Sequence, residues 1–254
     1  MKSGAEFDRG GAAADIRPRR DDAPADRPTA GGAVERWPLE IVDDHLVALV
    51  DGRRALVDTG APQSFGRTPL TILGREWKFK PTWLGIGLPE MERRVGCALD
   101  ALLGFDVLSS FRFVVDWIDS AIEFREDEPA MDGAVVPVDT LLGVPIVDFL
   151  IDGRTARGYL DTGARLSYVD AEAAGAVPFA TRTDYYPGFG EFTTEVRKMT
   201  VEVGGKLRDL TCGTLPELLR DALRLAGTEW ILGVDVLRKG PVFFDFAKGI
   251  VVVP

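Results

Sequence analysis

Asp58 and Asp161 are the residues on which chemistry could rest. Each closes an apolar run and opens the same tetrapeptide: Ala55-Leu56-Val57-Asp58-Thr59-Gly60-Ala61 and Gly158-Tyr159-Leu160-Asp161-Thr162-Gly163-Ala164. A serine and an aromatic residue follow at the same distance, Ser64-Phe65 in one copy and Ser167-Tyr168 in the other. An aspartate at a strand end, followed by a small hydroxyl residue and glycine, presents a carboxylate on a tight turn. Glycine lets the backbone come close, so that amide N–H groups can reach the carboxylate. The threonine hydroxyl is then free to bond across to the other copy. If a twofold relation brings the copies together, the two carboxylates meet and cannot both ionise; they share one proton. Such a pair offers a base for a water molecule and an acid for a leaving group in one place.

The elements that must position these aspartates are also duplicated. Leu46 to Val50, Asp51-Gly52 and Arg53 to Val57 read as a β-hairpin with a two-residue turn that delivers Asp58. Pro145 to Ile151, Asp152-Gly153 and Arg154 to Leu160 repeat it and deliver Asp161. Further on, Leu102-Leu103-Gly104-Phe105-Asp106-Val107-Leu108 is matched by Ile231-Leu232-Gly233-Val234-Asp235-Val236-Leu237. Both segments run on into a hairpin, Phe113 to Phe124 and Val242 to Val253. The spacing between copies grows from 103 to 129 residues between these blocks. The second half therefore carries an insertion. Part of it reads as a helix: Thr214 to Glu217 suggests a capping box, Leu215, Leu218, Leu219, Ala222 and Leu223 share a face, and Gly227 ends it.

A repeat at this spacing governs the expected fold. The chain is expected to be all-β and mainly antiparallel, with a few short helices and two halves, 35–128 and 129–254. The acidic, Pro- and Gly-containing stretch 126–133 joins them. Residues 1–34 are poor in large apolar side chains, with balanced acids and bases, and read as a disordered tail. The chain has 254 residues, 46% of them hydrophobic, and a net charge of −10. That charge disfavours a nucleic-acid partner. No apolar run is long enough for a membrane span, and no secretory leader is evident. The default expectation is therefore a cytoplasmic protein that does not engage membranes. Cys97 and Cys212 read as free thiols, and His45, the only histidine, as structural. No metal or other cofactor is expected.

On the duplicated Asp-Thr-Gly-Ala and the duplicated apolar-apolar-Gly-x-Asp-x-Leu segment, the chain resembles the aspartic peptidases, and within them the retropepsin-like branch. The resemblance covers residues 40 to 254. It implies a bilobal β-barrel fold with a pseudo-twofold axis, with Asp58 and Asp161 as the catalytic dyad. Thr59, Gly60, Ala61, Thr162, Gly163 and Ala164 would support the loops. Asp106 and Asp235 would be N-caps of short helices packed behind them. Both copies lie in one chain, so a monomer would suffice as the functional unit.

The resemblance also implies a flap. Tyr185-Tyr186-Pro187-Gly188-Phe189-Gly190 has the composition of one, the alternative being a plain turn. In the first half two registers stay open. One places Trp83-Leu84-Gly85-Ile86-Gly87 opposite it as a second flap tip; the other aligns Cys97 with Cys212 and leaves that half a truncated flap or none. One working flap, from the second half, is the expectation, with Trp83, Ile86, Tyr186 and Phe189 hinting at apolar subsites. Pro62, where the second copy has Arg165, lacks an amide hydrogen and could impair the first loop. The activity implied is hydrolysis of peptide bonds in an extended polypeptide by a water activated between the aspartates. A non-catalytic peptide-binding module is the alternative, and processing of the chain's own tail a third reading.

Overall fold

Strands dominate the computed structural model, which describes residues 32–169, 175–225, 227–228 and 230–254. Most of the expected tail lies outside the described residues. The first strand begins at Val34, and residues 32–254 form one unit. Among the described residues there are three short α-helices, α1 (Leu88–Val95), α2 (Phe105–Leu108) and α3 (Glu217–Leu225), and a 3-10 helix, Val234–Leu237. No helix among them is long and apolar enough to cross a membrane.

The two halves repeat one path. Val34–Val42, His45–Val50 and Arg53–Val57 form an antiparallel meander, and Ala134–Leu141, Val144–Ile151 and Arg154–Leu160 form its counterpart. The turns Asp51-Gly52 and Asp152-Gly153 place both residues at positive φ. That is the mirror-image turn whose twist suits a two-residue hairpin. The last strand of each meander then takes a parallel neighbour from much later in its half, Ala101–Leu103 in one and Trp230–Leu232 in the other. Where they pair, the ends of these strands are apolar because both faces are covered: Val57, Leu103, Leu160 and Leu232 are all buried.

A six-stranded antiparallel sheet spans both halves. Its order is Val34–Val42, Ala121–Arg125, Arg112–Asp116, Val242–Asp245, Ile250–Val253 and Ala134–Leu141. The central pair joins the halves in the register Phe113↔Phe244, with the two rings stacked at 4.6 Å and 9°. Beside them Arg112 Nε donates to Asp245 Oδ2 at 2.7 Å. Asp245 is fully buried, so this pair and the Lys248 amide that donates to its other oxygen (3.0 Å) satisfy a charge that would otherwise be costly.

Helix α3 corrects the expected face. Leu215, Leu219 and Leu223 are buried four residues apart, whereas Leu218 is 74% exposed and Ala222 is also exposed. The Thr214 hydroxyl, expected to cap the helix, accepts from Arg197 Nη1 at 3.3 Å. Gly227 does follow the helix end at positive φ, with its N–H on Arg224 O at 3.0 Å.

The stacked phenylalanines are the centre of the seam between the halves. Phe113→Ala is expected to cost about 3–5 kcal/mol in chemical denaturation, the usual figure for a buried phenylalanine. A cost below about 1 kcal/mol would show that the seam does not depend on them.

Candidate functional site

Each aspartate sits where a meander strand ends against its parallel neighbour. The Asp58 amide donates to Leu103 O (3.0 Å) and the Asp161 amide to Leu232 O (2.9 Å). The next residue locks the loops together. Thr59 N donates to Thr162 Oγ1 and Thr162 N to Thr59 Oγ1, both at 3.0 Å. Each hydroxyl in turn donates to the far strand: Thr59 Oγ1 to Leu160 O (2.6 Å) and Thr162 Oγ1 to Val57 O (3.0 Å). Both threonines are buried, and each hydroxyl acts once as donor and once as acceptor.

This lock brings the carboxyl groups into mutual hydrogen-bond contact. Each lies against the glycine of the opposite loop. A Cβ on Gly60 would stand 2.2 Å from Asp161 Cγ, and one on Gly163 would stand 2.3 Å from Asp58 Cγ. Side chains of any size there would separate the pair. Backbone amides hold the carboxylates from below: Ala61 N donates to Asp58 Oδ1 at 3.0 Å, and Gly163 N and Ala164 N to Asp161 Oδ1 at 2.9 and 3.1 Å. Burial and then the charge of Asp161 push Asp58 well above the ordinary aspartate range, against the pull of the Ala61 and Gly60 amides. Burial raises Asp161 too, opposed by the Gly163 and Ala164 amides and the hydrogen bond from Asp58. Both side chains keep a face open to a cleft of about 830 Å³. A like-charged pair in that position retains a proton where isolated aspartates would have lost theirs.

The segments behind the loops differ from expectation in one respect. Asp106 and Asp235 are not N-caps. The cap positions are Gly104 and Gly233, in extended backbone without a side-chain cap. Glycine is required there because the loops pass directly against it: a Cβ would meet Ala61 O at 2.7 Å and Ala164 O at 2.5 Å. Ser64 and Ser167, the duplicated serines, accept from the Gly104 and Gly233 amides at 2.8 and 3.0 Å. Asp106 Oδ1 accepts from the Ser64 amide and hydroxyl at 2.8 and 2.6 Å. Asp235 accepts from the Thr211 amide (2.6 Å) and pairs with Arg238 (2.7 Å).

Pro62 takes no amide from Asp58, whose donors belong to Gly60 and Ala61. Its place in the repeat explains it. Arg165, its counterpart, pairs with Asp43 in the 43–44 turn of the first half. The corresponding turn of the second half is Leu142-Gly143, and a Cβ on Gly143 would lie 3.3 Å from Pro62 Cβ. One contact between loop and opposite turn is an ion pair; its mirror image is apolar.

Tyr185, Tyr186, Gly188, Phe189 and Gly190 line the cleft at the end of a hairpin formed by Ala180–Tyr186 and Gly190–Val203. Trp83 and Ile86 line it too, from a separate small hairpin, Thr82–Trp83 with Ile86–Gly87. Neither alignment of the first half holds, although the missing flap that the second one implied is what the strands show. Tyr168 pairs in parallel with Gly213, and the equivalent Phe65 makes its parallel bridge to Lys80. Lys80 is thus the counterpart of Gly213, so the 82–87 hairpin comes after the position a flap would occupy, and Cys97 lies far from the place of Cys212. Only residues 67–69 separate Phe65–Gly66 from Leu70–Ile72, which leaves no room for a flap in the first half.

Sequence reasoning missed several cleft residues. Tyr159 lines the cleft, and burial raises its phenol; the neighbouring Tyr186, already expected from the flap sequence, is pushed up to about 12 by burial and then by the charge of Asp161. Tyr168, known beforehand only as the aromatic member of a repeated pair, donates to Asp184. His45 lines the cleft wall with Nδ1 3.2 Å from Val42 O, and burial lowers its pKa below the ordinary histidine value. Cys97 and Cys212 are free thiols, Cys212 fully buried. Among the described residues no group of three His, Cys, Asp or Glu side chains is placed to hold a metal ion. Set against protein-family models and against curated proteins, the chain matches none.

The raised dyad has a consequence for stability. Folding lifts both pKa values above the ordinary 3.8, so the folded chain binds these protons more tightly than the unfolded one. The contribution is fully present below pH 3.8 and is lost as pH rises through the folded values. Asp161→Asn is therefore expected to raise Tm at pH 7 and to leave it nearly unchanged at pH 3 in calorimetry. An equal shift at both pH values would contradict a shared proton.

Proposed function

We propose that this chain is an aspartic endopeptidase of the retropepsin-like kind, with both lobes of its bilobal fold in one polypeptide. The observation that carries the reading is the hydrogen-bonded contact between Asp58 and Asp161 on loops crossed by Thr59 and Thr162. The six-stranded sheet shared by the halves and the lid-like hairpin beside the dyad support it.

In this reading one carboxylate of the pair takes a proton from a water molecule held between them. The other, protonated, donates to the scissile carbonyl oxygen. Attack of the water gives a tetrahedral diol, and transfer of a proton to the amide nitrogen releases the amine. The enzyme forms no covalent bond to substrate. The substrate is a polypeptide in extended conformation, lying across the dyad under the 180–203 hairpin and adding strand-type hydrogen bonds to it. Apolar walls on either side, Leu56, Phe65 and Met91 in one half and Val144, Leu223 and Ile231 in the other, favour apolar side chains next to the cut.

The test is cleavage of an unfolded protein between pH 3 and 7. The expected profile is bell-shaped, limited on the acid side by loss of the carboxylate and on the alkaline side by loss of the shared proton. Asp58→Asn and Asp161→Asn should each lower kcat by about 10²-fold or more. A statine-type inhibitor should bind the wild type and block cleavage. Binding of peptides without cleavage across this range would instead assign a non-catalytic peptide-binding role, and cleavage surviving both substitutions would overturn the mechanism.

A further inference from the structure

The lone lid hairpin does not hang free over the cleft; one side chain of the other half grips both of its strands. Arg94 lies in the last turn of α1. Its Nε donates to Glu90 Oε1 at 3.0 Å, one turn back, which orients the guanidinium. Its Nη1 donates to Glu191 Oε2 at 2.7 Å, and its guanidinium carbon stands 4.2 Å over the ring of Tyr185. Tyr185 and Glu191 face each other across the hairpin ladder, a single rung below its tip. Tyr185 also packs on the apolar cluster of the first half that includes Leu88, Met91 and Leu102.

From this geometry we infer that Arg94 is a positioning residue that latches the lid onto α1 and so keeps it ordered over the dyad. The inference rests on the reading of this cleft as a peptidase site. A two-stranded hairpin alone is marginal in water, so its order over the dyad depends on what it docks against. The first half lacks a flap of its own and supplies α1 and the 82–87 hairpin as that dock. The ion pair is partly exposed, with Glu191 59% accessible, and is weak alone. The stacked contact with Tyr185 is less sensitive to salt. Only a planar guanidinium can stack on the ring while donating in its plane to Glu191 and Glu90; lysine cannot do both.

Hydrogen exchange of the 180–196 segment in the full chain reads the latch without any substrate. Arg94→Ala should speed exchange there about five- to tenfold. Arg94→Lys should speed it nearly as much, and Tyr185→Leu about threefold. Arg93→Ala, whose partner is Glu90, should leave it unchanged. In the cleavage assay Arg94→Ala should raise KM more than it lowers kcat. Exchange that responds in this pattern supports the latch even if no peptide is cut. Unchanged exchange in Arg94→Ala, with α1 still protected, overturns it even if Asp-dependent cleavage is found.

Discussion

Two threonine side chains impose the condition on which the rest of the molecule depends. Thr59 and Thr162 each take the amide of the other loop and give their hydroxyl hydrogen to the strand behind it. Four hydrogen bonds at a buried crossing leave no freedom for the residues on either side. The carboxyls that precede them must meet, and the glycines that follow must be glycines because an opposing carboxyl occupies the space of a side chain. The strands that deliver the loops must arrive from opposite halves, which the central pairing of Arg112–Asp116 with Val242–Asp245 makes possible. What the crossing forces together is unfavourable: two acids out of bulk water. The amides beneath them and the proton between them offset that cost.

The two halves share a template and differ in what they build on it. The second half extends a long hairpin over the cleft. The first half replaces it with a tight connection and puts α1 and a small hairpin opposite. The contacts between aspartate loop and opposite turn follow the same division: Arg165 with Asp43 on one side, Pro62 with Leu142-Gly143 on the other. An assembly of two identical chains could not separate these roles. Joining the copies in one chain gives the cleft two unlike ends.

Much of this was legible in the sequence because the informative features are local and occur twice. The Asp-Thr-Gly-Ala strings, the Asp-Gly hairpin turns and the later Gly-x-Asp segments each mark an element by its own residues. The features that misled depend on partners distant in the chain. The resemblance made Asp106 a helix cap; its oxygen is instead taken by Ser64, 42 residues earlier. Leu218 and Leu219 are equivalent by helical spacing, and only the position of the neighbouring sheet decides that Leu219 is inside. The alignment of the first half failed because glycines and cysteines recur by chance, whereas the parallel bridge from Phe65 to Lys80 is visible only in three dimensions. Arg94 carries no motif at all; it is one of two arginines on an amphipathic helix until Tyr185 and Glu191 are placed against it.

Carbon-13 NMR titration of the Asp58 and Asp161 carboxyl groups addresses the shared proton most directly. A pair held in contact by the crossed threonines should titrate in two coupled steps, with the upper step well above 3.8 and both carboxyl signals responding to each. Two independent titrations, each close to 3.8 and each seen by one carboxyl alone, would show that the acids do not meet.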